Sequence, residues 1–467
     1  MSAPHVVVLG GGPAGVGAAY GLAARGDCRV TLVERGAALG GNAGSFDHGG
    51  FRLDYGSHRL HRATAPEILA DIRRLLGDDL RARRRRGRIR LAGRWVRFPL
   101  SAPDLLLRLD RSFALGVARD LLRSALAAPR PAGDSFASTL LARLGPTICE
   151  RFYFPYARKL WGLEPEELSA TQARRRVSAG TFGKLLAKVL SRGADVFFYP
   201  RRGFGQLSEA YGEAAVARGA ELRLGTTVER LVPPARAGAP WTVEVRSGDE
   251  RCALAADHVL STLPLPPLAR LVDPPPPVEV LAAAAAIDYR AMVLVYLELD
   301  VDRFSATDAH YFPEESVRST RISEPKNYRG GDEPRGRTVL CAELPCAVGD
   351  EVWSRDDAAL GELVAADLAR VGLPLARPPV AAFSRRLTHA YPIFRRGYET
   401  ALDRVEAWLE SLPALVSYGR QGAFAHDNTH HALAMAYAAV GCLGAGGFDR
   451  GRWAEHRREF ARHVVED

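Results

Sequence analysis

The sequence predicts an α/β protein built on a Rossmann-like strand, glycine turn and helix, and three observations predict it. Val6-Val7-Val8-Leu9 is a continuous apolar run of the kind a strand buried on both faces requires. Gly10-Gly11-Gly12-Pro13-Ala14-Gly15 follows at once, with the spacing of a dinucleotide fingerprint. Residues 29–33 are then β-branched and apolar, and the run ends in an acid, Glu34.

Each position in this unit has a physical task. Gly10 permits the tight turn, Gly12 removes the side chain that would block a pyrophosphate, and Gly15 lets the helix pack closely on the strand. Residues 16–25 continue that helix and Gly26 ends it, so its start at Pro13 and Ala14 faces phosphate. Glu34 lies at the distance expected of a carboxylate that hydrogen-bonds an adenosine ribose, where a 2′-phosphate would be repelled. The motif alone leaves open whether the adenosine belongs to NAD or FAD.

Leu39-Gly40-Gly41-Asn42-Ala43, then Gly50-Phe51-Arg52-Leu53-Asp54-Tyr55-Gly56-Ser57-His58-Arg59-Leu60-His61, resemble the continuation seen in the amine oxidase, protoporphyrinogen oxidase and UDP-galactopyranose mutase superfamily. In that superfamily the fingerprint holds FAD. The resemblance implies cofactor contacts at Arg35, Gly41, Asn42, Tyr55, Gly56, Ser57 and His58, with Gly56 and His58 approaching the isoalloxazine ring. Read alone, His58 and His61 are equally well ordinary loop residues.

At 467 residues the chain should hold two or three domains. No run approaches the roughly 18 apolar residues of a membrane span, and the start enters a strand rather than a signal peptide. A cytoplasmic protein with no integral membrane segment is expected. The net charge of +9 is carried by arginine, with lysine only at Lys159, Lys184, Lys188 and Lys326. Together with abundant alanine and glycine this points to GC-rich codons, so no nucleic-acid partner is inferred from it. The six cysteines are scattered without a CxxC pair or a metal-like Cys/His spacing, so free thiols and no metal site are expected.

Residues 65–76 carry apolar positions at helical spacing, and the arginine run 81–90 leads into an alternating hairpin around Gly93. That run is read as a solvated charge run or as an anion site. Residues 105–144 are helical, broken at Pro129-Arg130-Pro131, and form a cap. Arg158-Lys159-Leu160-Trp161-Gly162 resembles the mutase branch, which implies that Trp161 lies in the substrate pocket; its alternative is a core tryptophan. A substrate arginine that the mutases carry further on falls here on Ala179, with Arg174, Arg175 and Arg176 just upstream.

Tyr199-Pro200-Arg201-Arg202-Gly203-Phe204-Gly205 resembles the return into the flavin domain. Residues 220–224 and 226–232 read as a strand pair, in which the backbone at Val228 would pair with the adenine edge. Arg321 matches a second diphosphate-binding arginine of the mutases; its alternative is an ion pair with Glu324 or Glu343. This segment and the strand after it resemble less characterised FAD-dependent relatives of the mutases more closely than the mutases themselves. Tyr391 is placed to hydrogen-bond a substrate, or is a packed turn residue. Finally, residues 415–418 form a strand that delivers Gly419 and Arg420, and a helix starts near Asn428, Thr429 and His430. The resemblance implies that this helix points its amino terminus at the flavin.

The resulting expectation is an α/β protein with a discontinuous Rossmann-like FAD-binding domain (1–62, 197–270 and 385–450), a helical cap (63–196) and an inserted α+β, β-rich substrate domain (271–384). Function is expected to be that of an FAD-dependent oxidoreductase acting on a small, anionic or sugar-nucleotide-like molecule. Hydride would go to flavin N5, with His58 or Tyr391 as base and Arg321, Trp161 and Arg176 as substrate contacts. The alternative is a sugar nucleotide mutase using reduced FAD as nucleophile. A third reading, a chain that binds FAD and ligand without turnover, has no support in the residues.

Overall fold

A computed structural model describes residues 3–100, 104, 108, 110–126, 133–176, 196–236, 238–331 and 334–465. β1 (His5–Leu9) is buried along its length, as its unbroken apolar run requires. α1 (Pro13–Arg25) starts on a proline and closes at Gly26 in the left-handed conformation. There follow β2 (Arg29–Val33), α2 (Pro66–Leu76), β3 (Gly87–Leu91), β4 (Arg94–Phe98), α3 (Phe136–Leu144), α4 (Phe154–Trp161) and α5 (Ala170–Arg176). The middle of the chain forms α6 (Gln206–Val216), β5 (Glu221–Arg223), β6 (Thr226–Val232), β7 (His258–Ser261), β8 (Tyr289–Leu299), β9 (Ala309–Tyr311), β10 (Arg321–Ser323) and β11 (Thr338–Cys346). The remainder is α7 (Asp357–Arg370), β12 (Ala381–Pro392), β13 (Leu415–Ser417), α8 (Thr429–Cys442) and α9 (Arg450–Phe460).

The nucleotide half is a five-stranded parallel sheet in the order β13-β7-β1-β2-β5. Side chains alternate along β1, so Val6 and Val8 share a core with Leu22 of α1, Ile68 of α2 and Leu433 of α8. Val7 and Leu9 face the other way, against Trp241, Val243 and Val405. The strand order reverses at β1, which puts the crevice for a dinucleotide outside the carboxyl ends of β1, β7 and β13.

The second half is a seven-stranded sheet, β12-β8-β11-β10-β9-β3-β4, antiparallel except where β9 meets β3. β8 is nearly all apolar because both of its faces are covered. Val293, Val295 and Leu297 pack with Leu360, Val364 and Leu368 of α7. Met292, Leu294 and Tyr296 pack with Phe51 and Leu53, the strand that enters the flavin loop. A separate core joins Phe136, Leu140, Trp161 and Ala173 of the helical segment.

The expected domain boundaries differ from the packing at several points. α2 belongs to the core of the nucleotide half rather than to a cap, because Ile68, Ile72 and Leu76 are its buried stripe. The β3–β4 hairpin, placed by sequence in the helical segment, extends the seven-stranded sheet through β9. The boundary expected at 385 falls inside β12. β5 and β6 do not pair with each other: Gly225 turns the chain, so β5 completes the parallel sheet while β6 pairs with strand Trp241–Ser247. Ala179 lies outside the described residues. Among the described residues no helix is long and apolar enough to cross a membrane.

Candidate functional site

Three glycine segments converge at the carboxyl end of β1. Gly10 has φ +99°, and a Cβ on Gly15 would lie 1.8 Å from the Gly10 carbonyl oxygen, so both are glycine for reasons internal to the protein. Gly40 N–H donates to the Gly11 carbonyl at 2.8 Å, and a Cβ on Gly41 would lie 3.4 Å from Gly12 Cα. Gly419, at φ +77°, is packed so closely that its Cβ would sit 2.7 Å from that of Ala14. The amino-terminal and carboxyl-terminal motifs therefore meet on the first turn of α1.

Gly12 is different, and it provides the test of whether the residues fit a dinucleotide. Its φ is −72°, which any residue adopts, and the nearest atom to a Cβ there is the Gly40 carbonyl oxygen at 4.0 Å. Neither backbone strain nor a protein neighbour calls for glycine, whereas a diphosphate lying between Gly12 and Gly41 does. Glu34 accepts the Gly11 N–H at 2.6 Å and the Gly36 N–H at 2.7 Å. A carboxylate has about four acceptor sites, so capacity remains for ribose hydroxyls. Arg35 is exposed beside it, and Val228 sits half-buried next to a bulge in β6. These residues fit FAD.

The loop 54–58 is held from beneath by a buried carboxylate. Asp54 accepts the Ser45 hydroxyl at 2.6 Å, the Phe204 N–H at 3.0 Å and the Tyr199 hydroxyl, while its carbonyl accepts Tyr296 O–H at 2.6 Å. Gly56, at φ +92°, then turns the chain, and Ser57 N–H donates to Glu343 at 2.9 Å. His58 Nε2 lies 2.9 Å from the Tyr55 carbonyl oxygen. A carbonyl only accepts, so Nε2 carries the proton and Nδ1 is the basic nitrogen. Burial holds the His58 pKa below its ordinary value, against the opposing pull of Asp54 and Glu343.

Arg321 is committed to Glu343 by a two-pronged pair, Nε–Oε1 at 2.9 Å and Nη2–Oε2 at 2.8 Å. The Glu343 side chain is buried and that of Arg321 partly so, and the guanidinium charge expected to meet a substrate anion is already balanced by that carboxylate. Of the two alternatives, Glu343 is the partner; Glu324 instead accepts the Phe304 and Ser305 N–H groups and the Thr338 hydroxyl. Arg59 donates to the hydroxyls of Tyr311 at 2.9 Å and Tyr328 at 2.8 Å, and Tyr328 also meets Ser57. Lys159 anchors the loop before β10, donating to the carbonyls of Phe312, Val317 and Ser319. Burial pushes its pKa down to about 7.

A second cluster lies where α4 and α5 meet the end of β12. The Tyr391 ring is flanked by the guanidinium groups of Arg176 at 5.2 Å and Arg420 at 5.1 Å, and its hydroxyl makes no hydrogen bond among the described residues. Arg176 also lies 6.0 Å from the Trp161 ring. Trp161 is buried, and among the described residues its indole N–H has no hydrogen-bond partner. His426 stands edge-on to Trp161 and is hydrogen-bonded to Gln172 at 3.1 Å. Burial and three nearby arginines hold His426 neutral, with a pKa well below the ordinary value. Tyr391 and Glu343 are both electrostatic neighbours of Arg321, which joins the two clusters.

Sequence reasoning did not single out Arg59, Tyr311, Tyr328, His426 or Gln172. Arg59 stood beside His58 as a clue, but nothing local marks the tyrosines. Asn42 donates to the His389 carbonyl at 2.9 Å and Arg420 to the Ala390 carbonyl at 2.8 Å, so both tie the crevice to β12. Asn428 caps α8, Thr429 opens it, and His430 is buried, with no hydrogen-bond partner for Nδ1 among the described residues. Where no metal was expected, Asp427, His431 and His463 come together. All six cysteines are free thiols.

The flavin containing amine oxidoreductase family matches residues 13–424. Reduced UDP-galactopyranose mutase superposes with a TM-score of 0.82 at 21% identity, over 99% of this chain and 100% of that one. Putrescine oxidase bound to putrescine gives 0.65 at 19% identity, over 94% and 98%. Phytoene dehydrogenase from Streptomyces griseus is 30% identical over 296 residues, so the match spans 54% of this chain and about half, 52%, of that relative. The likeness to the solved structures is one of fold, whereas the family match covers most of the sequence. FAD is the cofactor, and the chain belongs to the flavin containing amine oxidoreductase family.

Proposed function

We propose that the protein is an FAD-dependent oxidoreductase that removes a hydride and a proton from a small organic substrate carrying an anionic group. Bound FAD supplies a two-electron acceptor at flavin N5. Gly12 and Gly41 would hold it by close backbone approach, with Glu34 for the ribose and the first turn of α8 for the ring end. FAD would accept the electron pair of the substrate C–H bond, and His58 Nδ1 would accept the proton of the neighbouring O–H or N–H group.

The observation that carries this reading is His58: its tautomer is fixed by the Tyr55 carbonyl, and burial keeps it neutral and able to accept a proton. Arg321 acts as a positioning residue, holding Glu343 and through it Ser57 next to His58. The anionic group meets Arg176, and Tyr391 and the Trp161 indole N–H supply hydrogen bonds. Similarity to phytoene dehydrogenase and putrescine oxidase supports net oxidation.

A second reading, mutase chemistry, is favoured by the full-length superposition on UDP-galactopyranose mutase and by Trp161 beside Arg176. The commitment of Arg321 to Glu343 weighs against it, because a nucleotide diphosphate needs unbalanced positive charge. Anaerobic mixing of the holoenzyme with a panel of organic anions, amines and nucleotide sugars separates them. Bleaching of the oxidised flavin with an oxidised product is expected. Rearrangement of a sugar only by the reduced enzyme, without net electron transfer, would establish the mutase reading instead.

A further inference from the structure

Next to α8 the fold assembles a group of side chains that flavin chemistry does not use. Asp427 immediately precedes the helix cap, His431 lies one turn later on the same face, and His463 arrives from the segment after α9. One ligand atom from each lies within 4.8 Å of the others. Asp427 is 1% exposed; its Oδ2 accepts from His463 Nδ1 at 2.9 Å, but among the described residues Oδ1 is buried without a hydrogen-bond partner. A buried carboxylate oxygen left without a partner costs free energy.

His431 Nδ1 lies 3.8 Å from Asp427 Oδ1. That is too long for a hydrogen bond, yet close to the span of two metal–ligand bonds of about 2.0–2.2 Å each. The only contact a metal would displace at His431 Nδ1 among the described residues is the Asn428 N–H, at a long 3.3 Å. The imidazoles of His431 and His463 are stacked with centroids 4.1 Å apart, which brings both rings to the same carboxylate.

We propose that Asp427, His431 and His463 form a site for a borderline divalent cation such as Zn²⁺, with water completing the coordination. Two imidazoles and one carboxylate suit Zn²⁺, Co²⁺ or Ni²⁺, whereas Mg²⁺ and Ca²⁺ want oxygen ligands. The ion staples the chain's last described segment to the first turn of α8. Because the three ligands come together only in the folded chain, binding also stabilises the fold.

The test uses holoenzyme stripped with a chelator and back-titrated with Zn²⁺ in competition with a chromophoric chelator. One equivalent per chain and a raised Tm are expected. His463→Ala, at a half-buried position, should weaken binding by more than roughly 100-fold, beyond the ~10–100-fold typical of an outer-shell partner. Asp427→Asn should do the same, and if that buried substitution prevents folding, His463→Ala decides alone. His456→Ala, on α9 outside the cluster, should bind as the wild type does. Absence of stoichiometric Zn²⁺ in the wild type would overturn the proposal, and so would equal affinity in His463→Ala or equal loss in His456→Ala.

Discussion

The nucleotide crevice and the substrate face are built from different material. In the crevice the working groups are backbone: Gly10, Gly12 and Gly15 stand within one turn, and Gly41 and Gly419 approach them closely. On the face proposed for the substrate they are side chains drawn from far apart, with Ser57 N–H reaching Glu343 and the Arg59 guanidinium reaching Tyr328. A backbone cradle needs glycine at fixed spacing and leaves a local signature. A side-chain constellation needs only that distant strands register correctly, and leaves almost none.

Three substitutions sharpen this contrast. Gly15→Ala should be the most severe, since its Cβ would stand 1.8 Å from the Gly10 carbonyl oxygen and the helix must move off the strand. The expected outcome is no folded, yellow holoenzyme on purification. Glu343→Gln should leave FAD content intact but expose an unbalanced Arg321, costing about 3–5 kcal/mol of stability, measured by denaturant unfolding. Gly12→Ala should be the mildest for the fold, because no protein atom comes nearer than 4.0 Å, while overpacking against the diphosphate costs about 1–3 kcal/mol. That corresponds to roughly five- to 140-fold weaker FAD binding at unchanged apoprotein stability. Equal effects of Gly12→Ala and Gly15→Ala on folding would break the comparison.

How much was legible follows the same division. β1, α1 and β2 could be read because their periodicity and punctuation are local, and β13 with α8 because strand, Gly419 and helix again follow in sequence. The hairpin at Gly93 was legible from alternation, but not its docking onto β9, which depends on a parallel pairing with residues 309–311. The reading of 220–224 and 226–232 as partners failed because two adjacent apolar runs around a glycine look like a hairpin even when each pairs elsewhere. Arg321 was marked as an anion contact, with an ion pair to Glu324 or Glu343 as the alternative. Only the cross-strand register of β10 on β11, with Arg321 opposite Glu343, decides between an anion contact and an ion pair. Asp427 and His463 are separated by a whole helix pair, so no spacing rule reports them.

In the proposed reaction a backbone crevice holds FAD while His58 takes the substrate proton. The direct measurement is anaerobic reduction of the bound flavin, using the first panel compound that bleaches it, for wild type and His58→Gln across pH. His58 is a base whose pKa burial lowers from its ordinary value. The neutral form therefore persists below about pH 6.5, and the wild-type rate should fall only at more acidic pH. His58→Gln should keep its FAD, reduce it roughly 100- to 10,000-fold more slowly, and lose the acidic limb. Reduction at the wild-type rate, with the acidic limb unchanged, would contradict the account.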